Sequence, residues 1–364
     1  MVALAEVLRR YWPQYERQFG SAILPSQRRA VQAILTCRTP ALGGQLYRCA
    51  DCQRDHFVYH SCNHRACPQC GKADAALWVQ QQQRKLLPVP YYLITFTVPE
   101  GLRPWLRSHQ KQGYALLLRQ SAATLQEIAA HPKYLGAELG FLSVLHTWGR
   151  RLQFHPHVHC VVPAGGLRPD GLRWCQPPSP DFFLPQQRLA ARFRTRLRAA
   201  LLDRPEAETI PPSVWRQKWV VDVQPAGSGQ TAIKYLAAYV NHTALGSQRI
   251  LNANHGQVTF KYKDSGDQQW RTLRLGATEF LRRFLQHVLP KGFQRIRYFG
   301  WLAPAAKLRW ERILALLDHQ PTAPALTISL VPNCPCCHKP MRLLALLPRP
   351  PPSPCASVKA ISTS

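Results

Sequence analysis

The sequence predicts an α+β chain, and three observations predict it. β-Branched and aromatic residues surround the run His155-Pro156-His157-Val158-His159, which reads as one arm of a β-hairpin. Helical periodicity recurs between further strand-like runs and is clearest over 185–203, where Leu189, Phe193, Leu197 and Leu201 repeat every four residues. Ahead of both, helical segments lead into a cysteine-rich stretch with the spacing of a metal knuckle.

Composition narrows the function before any motif does. The chain has 364 residues, enough for two or three domains, and at 46% hydrophobic it can bury a substantial core. Lys and Arg total 47 against 19 Asp and Glu, a net charge of +28 spread along the whole length. That is far from an ordinary metabolic enzyme and points to a polyanion, DNA above all. No window approaches 18 apolar residues, so no membrane span or membrane partner is expected. Residues 1–19 form an amphipathic pattern broken by Arg9, Arg10 and Glu16, without the apolar core of a signal peptide. Without an export signal the chain is expected in the cytoplasm, with its twelve cysteines reduced and the clustered ones ligating metal.

In order, 2–19 and 25–36 read as helices, the second started by Pro25-Ser26. Cys49-Ala-Asp-Cys52 and Cys67-Pro-Gln-Cys70 are two Cys-x-x-Cys knuckles fourteen residues apart. Each offers two thiolates at the bite of a tetrahedral ion, so Cys49, Cys52, Cys67 and Cys70 are expected to close one structural Zn²⁺ site, with Cys62 or His64 as an alternative to one of the cysteines, or with a second ion sharing the segment. A helix over 73–87 ends at Pro88 and Pro90, which places a boundary there: 1–87 as a helical, zinc-binding domain. Residues 91–98 read as a strand and 104–130 as one long helix.

Strands over 140–148 and 153–163 follow, joined by a turn at Gly149-Arg150-Arg151. Alternation puts His155, His157 and His159 on one face. Neighbours two apart are about 6.6 Å from each other and can share an ion, whereas residues four apart, about 13 Å, cannot. His157 and His159 are therefore the pair, and His146, expected opposite His155 and diagonal to His157, is the candidate third ligand. On the helix 185–203, arginines surround the apolar stripe with few acidic partners nearby in sequence. Arg188, Arg192 and Arg196 are accordingly expected on DNA phosphates. A helix over 230–242 carries Tyr235 and Tyr239 one turn apart on one face. Residues 247–275 alternate as strands and carry Lys261, Lys263, Arg271 and Arg274; helices over 278–288 and 307–317 follow. Cys334-Pro-Cys336-Cys337-His338 is a possible third knuckle without an evident second pair, and the Pro-rich stretch 348–354 is expected to be disordered. These elements divide the rest of the chain into 88–300, with the histidine strand and tyrosine helix, and 301–364.

A His-hydrophobic-His strand, a Tyr-x-x-x-Tyr helix about 75 residues later and enough charge to hold DNA form, in this order, a recognisable set. Together with His64-Arg65-Ala66-Cys67-Pro68-Gln69-Cys70, Leu145-His146-Thr147-Trp148, His155 to Leu167 and Tyr235-Leu-Ala-Ala-Tyr239-Val240, they make the chain resemble the HUH rolling-circle transposases with two tyrosines, of the insertion-sequence ninety-one type. The resemblance covers nearly the whole length. It implies an antiparallel sheet flanked by helices and a Mg²⁺ or Mn²⁺ ion on His157 and His159. It also implies Tyr235 and Tyr239 as nucleophiles that form a 5′-phosphotyrosine, with single-stranded element ends and target DNA as partners. The third metal ligand is not part of the resemblance, and His146 rests on the hairpin argument alone. A plasmid replication initiator or relaxase would use the same site. A non-cleaving zinc-containing DNA-binding protein, with structural histidines and both tyrosines turned inward, is the reading of another class.

Overall fold

The structure, a computed structural model, describes residues 2–179, 183–240, 244–264, 266–321 and 331–351, and excludes the side chains of residues 72, 73 and 238–240. Of the stretch expected to be disordered, 348–354, residues 352–354 lie outside them. Helices α1 (Leu4–Phe19) and α2 (Pro25–Thr36) begin the chain. Pro25 sits at the first position of α2, and the Leu24 amide donates to the Gln27 side chain, 3.0 Å. A hairpin of β1 (Gly44–Arg48) and β2 (Asp55–Tyr59) leads to α3 (Lys72–Gln83). Next come β3 (Tyr91–Thr97), α4 (Arg103–Ser108) and α5 (Gln110–Ala130). The expected single helix 104–130 is thus two. It breaks at His109, whose ring stacks on Trp105 and whose backbone leaves the helical region.

The histidine hairpin is β4 (Phe141–Trp148) and β5 (Phe154–Pro163). After the short pair β6 (Gly166–Leu167) and β7 (Trp174–Cys175) come α6 (Gln186–Ala199), α7 (Ser213–Arg216), β8 (Val220–Pro225) and α8 (Gln230–Val240). The chain continues with β9 (Ile250–Asn254), β10 (Gln257–Lys263), β11 (Trp270–Gly276) and α9 (Ala277–Leu285). It ends with β12 (Ile296–Phe299), α10 (Lys307–Leu316) and β13 (Arg342–Leu347).

The central sheet runs β12-β4-β5-β3-β8, every neighbour antiparallel. Helices cover both of its faces. Ile94, Phe96, Leu145, Val158 and Cys160 pack against α5 and α6 on one side; Leu142, Val144 and Val161 pack against α8 and α3 on the other. The fold is the expected one, an antiparallel sheet flanked by helices. The register differs by one pair. His146 stands directly opposite His157, not His155, because a bulge between His146 and Trp148 shifts the ladder and the turn extends to Leu152 at positive φ.

The sheet β11-β10-β9 packs its inner residues Val258 and Phe260 against α9 and α1. Tyr11 Oη and the Arg10 guanidinium both reach the Ala253 carbonyl at the end of β9. Residues from Leu4 to Cys37 therefore share one core with residues from Ala244 to Val288. Strand β13 pairs with β1 and so returns the chain to its beginning.

Candidate active site and cysteine clusters

Strand pairing and alternation bring three imidazoles together. His146, His157 and His159 each present a ring nitrogen, and the three lie within 4.8 Å of one another. Ring centroids are 5.1 Å apart for His146 and His157, 4.4 Å for His146 and His159, and 4.7 Å for His157 and His159. His155 stays outside the cluster, as the spacing along a strand requires. Its carbonyl accepts from His157 Nδ1 at 2.7 Å, which leaves His157 Nε2 as the lone-pair nitrogen. Thr95, opposite His159 on β3, places Oγ1 2.9 Å from His159 Nδ1. His159 Nε2 is buried without a hydrogen-bond partner among the described residues, the state of a nitrogen aimed at an ion.

Burial lowers the pKa of all three rings, His157 to about 4 and the other two well below the ordinary histidine range, and the neighbouring imidazoles push the same way. They are neutral near pH 7, the form that ligates a cation. Tyr235 on α8 faces them: its ring lies 5.8 Å from that of His159, at a right angle, and the residue is 43% exposed. All four line a groove of about 510 Å³ whose rim includes Arg150, Arg249, Lys263 and Trp270. Tyr239 follows one turn later on α8, and its side chain lies outside the described residues.

The cysteines form two clusters, which corrects the expected single site. Cys67 and Cys70 join Cys37 and Cys62; Cys49 and Cys52 join Cys334 and Cys337. Cys49, Cys52, Cys67 and Cys70 do not come together because the β1–β2 stem stands between them. Cys49 and Cys52 lie at the tip of that hairpin, Cys37 and Cys62 at its base, and five strand residues span about 16 Å. In each cluster all four sulfurs fall within 4.8 Å. Cys49 and Cys337 are 3.4 Å apart and Cys62 and Cys70 3.6 Å, too long for a disulfide and near the ~3.8 Å edge of a tetrahedron with 2.3 Å Zn–S bonds. Amides of Cys52, His64 and Cys336 donate to Cys49, Cys62 and Cys334 sulfurs, the support a thiolate needs. Four thiols so placed fit structural zinc. Cys336 is exposed and outside the cluster.

The arginine helix has a carboxylate partner within the fold. α6 covers the face of the sheet opposite the histidines. Arg192 and Arg196 both pair with Glu127 of α5, at 2.6 and 2.7 Å, while Arg188 points outward. The acidic partner was invisible in the sequence because it lies on another helix.

Residues 140–309 match the family model described as "Putative transposase", and residues 7–98 match the one described as "Transposase zinc-binding domain". The chain is 38% identical over 323 residues to "Putative transposase y4qJ" of Sinorhizobium fredii, covering 82% of this chain and 80% of that protein. It is 31% identical over 294 residues to the transposase for insertion sequence element IS801 of Pseudomonas savastanoi pv. phaseolicola, covering 75% and 69%. The chain belongs to the IS91-type transposases. No solved structure matches it significantly.

In this transposase the zinc-binding match contains the whole Cys37 cluster but only half of the other, since Cys334 and Cys337 lie beyond residue 98. The histidine hairpin, Tyr235 and the sheet β9–β11 all fall within the transposase match. Among the described residues no helix is long and apolar enough to cross a membrane. Sequence reasoning missed Thr95, Cys37, Arg249 and Trp270. A threonine on a strand and a lone cysteine between helix and hairpin carry no local signal, and only the fold delivers them to their sites.

Proposed function

We propose that this transposase nicks single-stranded DNA in the histidine groove and holds the cut end as a 5′-phosphotyrosine on Tyr235. One observation carries the reading: an exposed tyrosine stands 5.8 Å, ring to ring, from a cluster of three neutral histidines inside a groove rimmed by cations. Both tyrosines turned inward would have supported the non-cleaving alternative, whereas Tyr235 opens to the groove.

His157, His159 and His146 would hold a divalent cation, Mg²⁺ or Mn²⁺, which would draw charge from the scissile phosphate and make phosphorus more electrophilic. An all-imidazole donor set suits Mn²⁺ better than Mg²⁺, which prefers oxygen. Tyr235 Oη attacks phosphorus as it gives up its proton, the bond from phosphorus to the 3′ oxygen breaks, and that oxygen leaves as a 3′ hydroxyl after protonation. Attack by another 3′ hydroxyl on the phosphotyrosine reverses the exchange and joins strands without ATP. Tyr239, one turn along α8, supplies a second nucleophile, so that one end can be held while a second strand is cut.

The test is incubation of the zinc-loaded protein with 5′- and 3′-labelled single strands carrying element ends. A covalent adduct bearing only the 3′ part of the strand should form with Mn²⁺, more slowly with Mg²⁺ and not with chelator. Tyr235→Phe and Tyr239→Phe should each still give some adduct yet fail to transpose, while the double variant gives none. Normal transposition by either single variant would leave a one-tyrosine cycle. Cleavage by the double variant would overturn the assignment.

A further inference from the structure

The groove does not end at the tyrosine. It continues onto the outer face of the sheet β9–β11, where Trp270 is 60% exposed. That sheet has two chemically different faces. The inner residues Val258, Phe260 and Tyr262 are buried. The outer face carries Lys261, Lys263, Arg274 and Trp270 among hydroxyl and amide side chains, and the three strands contain no Asp or Glu at all. Register explains the grouping: Lys263 pairs directly with Trp270, and Lys261, two residues along, shares their face. Lys261 Nζ lies 5.4 Å from the Trp270 ring centroid, a cation over an aromatic surface.

A large exposed indole at the mouth of a cationic groove is poorly explained by folding, because the residue contributes most to stability when buried. It is well explained by a ligand with flat faces and regular negative charge. A single DNA strand has both, and a duplex offers no unstacked base to receive. We propose that the outer face of β9–β11 is a platform for the single strand entering the active site, with one unpaired base stacked on Trp270 and the flanking phosphates on Lys261 and Lys263. The occupant rests on the nuclease reading above; the platform places the bound strand relative to the histidines and so sets which phosphate they meet. Trp270 binds the strand in the same groove and takes no part in the bond-breaking step itself.

The experiment uses the full zinc-loaded chain in buffer without added divalent cation, with a fluorescein-labelled oligo(dT) and a duplex of equal length as probes. Trp270→Ala should weaken single-strand binding on the order of tenfold, Trp270→Phe by less than about threefold, and neither should change duplex affinity. Abasic nucleotides introduced one at a time should weaken wild-type binding at one position and have no such effect on Trp270→Ala. Zinc content and melting temperature should match wild type, because the residue is exposed. Equal affinity of Trp270→Ala and wild type for the single strand would overturn the platform, as would an equal loss on single strand and duplex. Adduct formation by the wild type in Mn²⁺, read separately, distinguishes the two readings. Its absence would sink the nuclease and leave the platform standing, while normal adduct with unaltered binding by Trp270→Ala would sink the platform alone.

Discussion

Thr95 shows how much of the proposed metal site depends on a residue outside the histidine cluster. Its hydroxyl, 2.9 Å from His159 Nδ1, fixes the ring so that Nε2 faces His146 and His157. Thr95→Val removes the hydroxyl at nearly constant volume and should weaken Mn²⁺ binding about 10- to 100-fold, while Thr95→Ser keeps most of it. Calorimetric titration of Mn²⁺ into zinc-loaded protein would decide, and equal affinities for wild type and Thr95→Val would refute the orienting role. The histidines themselves were legible in the sequence, since alternation along β5 selects His157 and His159 and the hairpin nominates His146. The register was not, because a bulge has no reliable sequence mark. The same holds for charge. Periodicity shows which way Arg192 and Arg196 point from α6, but their partner Glu127 lies on α5, and only packing reveals that both are engaged within the protein. Such half-exposed pairs contribute at most about 1 kcal/mol each, so their role is local.

At the scale of elements, the hairpin β1–β2 organises the cysteines. Its base gathers Cys37, Cys62, Cys67 and Cys70, and its tip gathers Cys49, Cys52, Cys334 and Cys337. The tip cluster joins residues more than 280 positions apart and lies beside the pairing of β13 with β1, so ion and strand secure the same long closure. The chain should bind two zinc ions. Cys334→Ser with Cys337→Ser should reduce the content to one and speed proteolysis of the segment around β13, with the base cluster and the histidine hairpin intact. Atomic emission on protein purified without added metal would check the count. One zinc in the wild type, or two in the double variant, would sink the idea. The sequence showed that zinc knuckles exist, because Cys-x-x-Cys spacing is a local constraint. Which knuckles share an ion is a matter of topology, and neither β1–β2 as a spacer nor β13 as a returning strand stood out in the amino-acid pattern.

For the molecule as a whole, a chain of net charge +28 keeps His146, His159 and His287 buried and neutral near pH 7. His287 is one that takes no part in the proposed metal site. Nδ1 lies 3.2 Å from Thr147 Oγ1 and Nε2 3.1 Å from the Leu152 carbonyl, so the ring ties α9's end to the histidine hairpin. Burial lowers its pKa to about 4, against a smaller upward pull from the Leu152 carbonyl. In the unfolded chain the ring would titrate near its ordinary value of about 6.5. Between those values the unfolded state binds a proton that the folded state does not, so stability falls as pH falls through this window and is fully present above it. At pH 5 the window has been crossed by about 1.5 units, worth ~2 kcal/mol at about 1.36 kcal/mol per unit. Melting of the zinc-loaded protein, with Mg²⁺ and Mn²⁺ omitted, should therefore drop between pH 7.5 and pH 5. His287→Gln, which keeps a donor and an acceptor but cannot titrate, should be less stable at pH 7.5 and lose less on acidification. The remaining loss belongs to groups common to both proteins, among them His64, His146, His155, His157 and His159, whose burial lowers their pKa as well, so the difference between the two slopes isolates His287. Identical slopes would show that His287 takes up its proton at the same pH in the folded and unfolded chains, and the account of the junction as a neutral, hydrogen-bonded contact would fail.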